Sequence, residues 1–221
     1  MTVPAPARPV IKTLADLVRG VGSVPLERIP ARPAPGTATE ADVLARPGGE
    51  KRLYELVDGV LVEKPVGYYE SLLAGILIQI LNNYLGDHDL GIVLGESGTL
   101  RLAPGLVRIP DVSFLSWSHF PNRELPAEPI PDLAPDLAVE VLSEGNTPQE
   151  MALKRREYFA AGVRLVWYVD PAARTAAVYT STQIAHPITA DDNLDGGDVL
   201  PGFTLRLGDW LDRVPPRRAR S

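Results

Sequence analysis

The chain has 221 residues and a formal net charge of −6, with 45% hydrophobic and 23% charged residues. This is the make-up of one well-buried globular domain rather than of a disordered or fibrous chain. Cysteine is absent, which excludes disulfides, thiolate zinc sites and a cysteine nucleophile; the acidic balance excludes a protein that coats nucleic acid over its whole surface, because such a surface must neutralise phosphates.

Three histidines, His88, His119 and His186, lie far apart without ligand spacing, so a histidine-built metal centre is not expected. The N-terminus has no apolar leader and no stretch approaches the roughly 20 apolar residues of a membrane span. A cytoplasmic protein with no membrane partner is the expectation.

Proline occurs 22 times, about twice its usual share, and clusters near the start. Residues 1–37 therefore read as an N-terminal arm with a short helix from Lys12 to Arg19, and the domain proper as 38–210. Thr39 caps a helix from Glu40 to Arg46 that Pro47-Gly48-Gly49 ends. Leu53–Val57 and Val60–Glu63 flank Asp58-Gly59, the strongest short hairpin signal. Tyr69–Leu85 carries Leu72, Leu73, Ile76, Leu77, Ile80, Leu81 and Tyr84 at helical spacing and should be the central buried helix.

Strands are expected over Gly91–Glu96, Thr99–Ala103, Val107–Ser116 and Asp136–Ser143. Thr147-Pro148-Gln149-Glu150 is a capping box with proline at the first helical position, which starts a helix that Gly162 closes. Val163–Val169 and Thr175–Thr180 follow as strands, so strand, helix and strand form a right-handed crossover. Residues 211–221 end in PPRRARS and read as a basic tail. The fold class is α/β, a mixed central sheet flanked by helices.

Few motifs carry chemistry. Asp191-Asp192-Asn193-Leu194-Asp195-Gly196 opens like a calcium loop, but its twelfth position is Gly202 instead of a bidentate Glu, so it is a polar turn. Gly95-Glu96-Ser97-Gly98 has neither nucleophile-elbow nor phosphate-loop spacing. Asp111 and Glu140 differ, because each lies in a predicted strand interior. Glu140 shares its strand face with Ala138 and Leu142, and an unpaired buried carboxylate costs several kcal/mol. Two such acids on neighbouring strands would make a hard oxygen seat for Mg²⁺ or Mn²⁺. Lys154, on the capped helix, could reach the same pocket, with Arg155 and Arg156 alongside. The plainer alternative pairs Lys154 with Glu150 one turn earlier and ties both acids to backbone donors.

YELVDGVLVE, VRIPDVSFLS, PDLAVEVLSEGNTP and KRREYFAAGVRLVWYVDP occur in an order that resembles the Uma2 family, a branch of the PD-(D/E)XK nuclease superfamily. The resemblance runs from about residue 39 to 207 and implies a restriction-endonuclease-like fold. Pro110-Asp111 matches the PD element and Glu140-Val141-Leu142 the (D/E)XK element. Leu142 stands where the lysine would be, and Lys154 fits a lysine that has migrated to the following helix.

The resemblance implies an endonuclease acting on nucleic acid, DNA first, with Asp111, Glu140 and the Val141 carbonyl holding Mg²⁺ or Mn²⁺. Products would be a 5′-phosphate and a 3′-hydroxyl. Glu55 is the early acid, with Glu70 as its competitor. Tyr158, one turn past Lys154, either packs in the core or steadies that lysine. A homodimer would let two sites face two strands. The rival reading is a binding module that keeps the fold without turnover.

Overall fold

Asp58 and Gly59 take φ of 46° and 79°, the paired positive values that a two-residue hairpin turn demands and that glycine reaches without strain. This computed structural model describes residues 13–45, 52–65 and 67–215. Two short helices, α1 (Leu14–Gly20) and α2 (Glu40–Ala45), precede the hairpin of β1 (Tyr54–Val57) and β2 (Val60–Glu63). Lys12, residues 1–10, the stop at Arg46 to Gly49 and the last six residues of the tail lie outside the described residues.

Alternation along the hairpin gives it two apolar faces. Tyr54, Leu56 and Leu61 pack on Val43 of α2, and Val57, Val60 and Val62 on Leu17, Val21 and Val24 around α1. The segment after α1 also grips the domain directly. Gly22 has φ +82°, and a Cβ there would stand 2.5 Å from Glu150 Cα, so only glycine permits that approach. Arg28 spans the contact, with Nη2 2.7 Å from Glu150 Oε1 and Nη1 2.9 Å from the Gly145 carbonyl.

The long buried helix, α3 (Tyr68–His88), runs three residues beyond its expected end and buries Leu73, Leu77 and Leu81 completely. Then come β3 (Gly91–Gly95), β4 (Leu100–Ala103), β5 (Leu106–Arg108), β6 (Val112–Ser116) and β7 (Leu137–Val141). The strand expected over Val107–Ser116 is two strands in two sheets. Pro110 has no N–H to donate and forces Ile109 out of a regular ladder; the chain crosses from one sheet to the other there, and Asp111 N rejoins at the Val139 carbonyl, 3.0 Å away.

Thr147 and Glu150 cap each other reciprocally at the start of α4 (Pro148–Ala160). This helix carries β7 over to β8 (Leu165–Asp170), which pairs with it in parallel, as the crossover expectation required. β9 (Thr175–Tyr179) and β10 (Ala185–Thr189) complete a six-stranded mixed sheet in the order β10-β9-β8-β7-β6-β3. A second, four-stranded sheet has the order β2-β1-β5-β4.

Only Asp191 and Asp192 of the calcium-like run lie in the turn; the next three residues form β11 (Asn193–Asp195), which pairs with β12 (Thr204–Arg206). The acids of the run are taken up locally: Asp192 accepts from Thr189 N at 2.9 Å, Asp195 from Gly197 N at 2.6 Å, and Asp191 from the Arg206 guanidinium. In α5 (Leu207–Leu211), Leu207, Trp210 and Leu211 join the main core with Val214 beyond them. Among the described residues no helix is long and apolar enough to cross a membrane.

One acid outside the site is a pH-sensitive tie. Asp136 precedes β7 and accepts from Ser116 N at 2.7 Å and Arg164 Nε at 3.1 Å, with His119 Nε2 3.0 Å away. Burial alone would raise its pKa, but the Ser116 bonds, His119 and Arg164 together hold it below the usual 3.8. Its stabilisation is therefore full above that value and is lost as pH falls through the lower folded one. Asp136→Asn should lower Tm at neutral pH and flatten the fall of Tm below pH ~4. An acid limb as steep as wild type in the variant would refute this assignment.

Candidate active site

The seam between the two sheets collects charges that neither sheet holds alone. Glu55 comes from β1, Asp111 from the crossing, Glu140 from β7 and Lys154 from the second turn of α4. Alternation turns Glu140 away from Leu137, Val139 and Val141, which pack in the main core, toward the side of Ala138. Lys154 Nζ lies 3.0 Å from Glu55 Oε1 and 3.2 Å from Glu140 Oε1. Glu55, Glu140 and Lys154 are therefore in direct contact, and Asp111 lies close enough for its charge to act on Glu140.

Lys154 does not take Glu150 as its close partner. Glu150 is held by Arg28 and by its own capping box, which leaves the lysine to face the acids. Tyr158 is fully buried, and its hydroxyl donates to Glu140 Oε1 at 2.6 Å, so it steadies the acid rather than the lysine. Of the two early acids, Glu55 reaches the cluster. The Glu70 carboxylate folds over the helix start, where a Cβ on Gly67 would come 1.8 Å from its Oε2.

Both Glu55 oxygens are engaged. Oε1 takes the Ile109 N–H at 3.1 Å as well as Lys154, and Oε2 takes Arg108 Nη1 at 2.7 Å. Burial would raise its pKa, but Lys154, Arg108 and Lys64 overcome that and lower it to about 2. Glu140 goes the other way. Burial, aided by the nearby Asp111 charge, raises it despite Lys154 and Lys64. Burial would lower the Lys154 pKa, yet Glu140 and Glu55 raise it above the usual 10.5, so it stays an ammonium at neutral pH.

Asp111 Oδ2 accepts the Val141 N–H at 2.6 Å. This bond sets the acid beside the main chain of the (D/E)XK-like element. With a side chain 13% exposed, against 5% for Glu140 and 0% for Glu55, Asp111 is where these acids open to solvent. Asp111, Glu140 and the Val141 carbonyl are hard oxygen donors of the kind that Mg²⁺ and Mn²⁺ take, with water completing the shell. No group of three or more His, Cys, Asp or Glu side chains is arranged to hold a metal among the described residues, so an ion here relies on two carboxylates, and the donor chemistry fits.

Three members of the cluster were not foreseen. Lys64 Nζ lies 2.8 Å from Asp111 Oδ1, and Arg108 bridges Glu55 to Glu157. Lys64 was within reach of the sequence. It continues the alternation of Val60 and Val62, which places it on the face of Glu55. Arg108 and Glu157 carried no such signal, because a buried arginine in a strand reads like any exposed one until its partners are known.

The family model for Uma2, described as "Putative restriction endonuclease", matches residues 41–208. No curated protein matches. Among solved structures, one described as a "putative nuclease belonging to DUF820 from Anabaena variabilis ATCC 29413" superposes with a TM-score of 0.67 at 19% identity, covering 77% of this chain and 96% of that one. At that identity the likeness establishes the fold, and the expected nuclease-type α/β architecture is the one found. Spanning three quarters of the sequence, from α2 to α5, the family match places the whole seam inside it: the chain belongs to the Uma2 family.

Proposed function

We propose that this protein is a divalent-metal-dependent endonuclease that hydrolyses phosphodiester bonds of DNA. The observation that supports the reading is the pairing, at a sheet seam, of the Glu140 carboxylate of β7 with the charged Lys154 of the following helix, close to the Asp111 carboxylate from the crossing into β6. Membership of the Uma2 family points to the same reaction class.

In this reading Asp111 and Glu140, with the Val141 carbonyl, hold Mg²⁺ or Mn²⁺. The bound ion supplies a water of lowered pKa and positive charge beside the scissile phosphate. Lys154 keeps its proton at neutral pH, so its role is to orient the water or to stabilise charge on the phosphate, not to act as base. Glu55 positions Lys154 through Oε1 while Arg108 fixes Oε2. Tyr158 holds Glu140 in place by donating to it.

The test is cleavage of supercoiled plasmid and of single-stranded RNA with Mg²⁺, Mn²⁺ or EDTA, comparing wild type with Asp111→Ala. Nicked or linear DNA should form only with metal and only with Asp111 intact. Equal cleavage by both proteins would trace the activity to a contaminant. A metal-dependent rise in Tm without cleavage of either substrate would leave a binding module in place of an enzyme.

A further inference from the structure

Lys64 takes no part in the mechanism just given, yet it is built into the cluster. Its side chain is 2% exposed, its ammonium lies 2.8 Å from Asp111 Oδ1, and it also donates to the Ile109 carbonyl. Its charge reaches Glu55 and Glu140 as well. The two lysines divide the acids between them: Lys154 bonds Glu55 and Glu140, while Lys64 bonds Asp111.

Asp111 has one oxygen, Oδ2, committed to the Val141 N–H. A cation bound through Oδ1 must share that oxygen with Lys64. Two positive charges so close repel strongly where little water screens them. An arriving phosphodiester brings the negative charge that lets both remain. A purely structural Lys64–Asp111 pair would behave differently, since removing the lysine would leave Asp111 buried and poorly held, and metal binding would weaken.

We propose that Lys64 couples metal binding to DNA binding: in the free protein its ammonium opposes a divalent ion at Asp111, and in the complex it contacts the phosphate next to that ion. The inference rests on the reading of Asp111 and Glu140 as the metal seat. By linkage, metal and DNA then raise each other's affinity by the same factor.

Titration of the metal-free full chain with Mn²⁺ alone, followed by calorimetry and thermal shift, tests this in wild type, Lys64→Gln, Lys64→Met and Asp111→Ala. The titration is repeated with an uncleavable phosphorothioate duplex, and cleavage is measured at saturating Mn²⁺. Without DNA, the Lys64 variants should bind Mn²⁺ about tenfold more tightly than wild type, as the loss of one partly screened repulsion predicts. They should lose the tightening that the duplex gives wild type, and cleave at least about tenfold more slowly.

Either variant suffices if the other does not fold. Mn²⁺ affinity equal to or weaker than wild type in a folded Lys64 variant overturns the coupling role, as does undiminished cleavage. A wild type that does not respond to Mn²⁺ at all fails differently, because it removes the metal seat itself, and Asp111→Ala would then be indistinguishable from it.

Discussion

Glu140→Gln is expected to abolish cleavage, by about a thousandfold or more, while leaving the metal-free protein at least as stable as wild type. The loss follows from removing one of the two carboxylates proposed to hold the ion, since metal assistance is worth several kcal/mol and each ~1.4 kcal/mol is tenfold in rate. The stability follows from the environment of the side chain. Burial and the neighbouring Asp111 charge disfavour the ionised form of Glu140, so an uncharged side chain of the same shape is the cheaper occupant. Its amide oxygen can still accept from Tyr158, and Lys154 keeps Glu55 at 3.0 Å. Activity and Tm in EDTA should therefore separate, the usual sign of a site that trades stability for function. A parallel fall in both would assign Glu140 to the scaffold.

How much of this was legible in the sequence depended on whether the signal was local. The hairpin at Asp58-Gly59, the capping box at Thr147 and the apolar stripe of α3 are short-range patterns, and the folded chain carries all three. Asp111 and Glu140 stood out because an acid in an apolar strand has few harmless explanations. The split of Val107–Ser116 was hidden in plain view. Pro110 signalled a break, but only the pairing partners reveal that β5 and β6 enter different sheets. Lys154 depended on the family pattern to be preferred over a helix-surface pair with Glu150. What settles the local contest is Arg28, 122 residues away from Glu150, and no window along the chain contains both.

Arg108→Met should be the most damaging substitution outside the proposed metal seat. The Arg108 side chain is 2% exposed and lies 2.7 Å from Glu55 Oε2, while its Nε lies 2.8 Å from Glu157 Oε2. Methionine fills much of the space and neutralises nothing. Losing one partner of a buried ion pair costs about 3–5 kcal/mol, which for a chain of this size lowers Tm by roughly 10 °C. Cleavage measured well below that Tm should fall in kcat more than in KM, because Glu55 loses the contact that aims it at Lys154.

The deficit should also depend on pH, with a definite sign. Burial already raises the pKa of Glu157 against the pull of Arg108, and without the guanidinium both acids shift upward. Glu157, with a folded pKa above the unfolded one, penalises the fold at neutral pH and stops doing so below its ordinary value of 4.5, where it is protonated in both states. The Tm gap between Arg108→Met and wild type should therefore narrow as pH is lowered toward ~4, and Arg108→Met/Glu157→Gln should recover part of it at neutral pH. A gap that stays constant with pH would mean that Arg108 contributes packing rather than charge, and that Glu55 is held toward Lys154 by the Ile109 N–H alone.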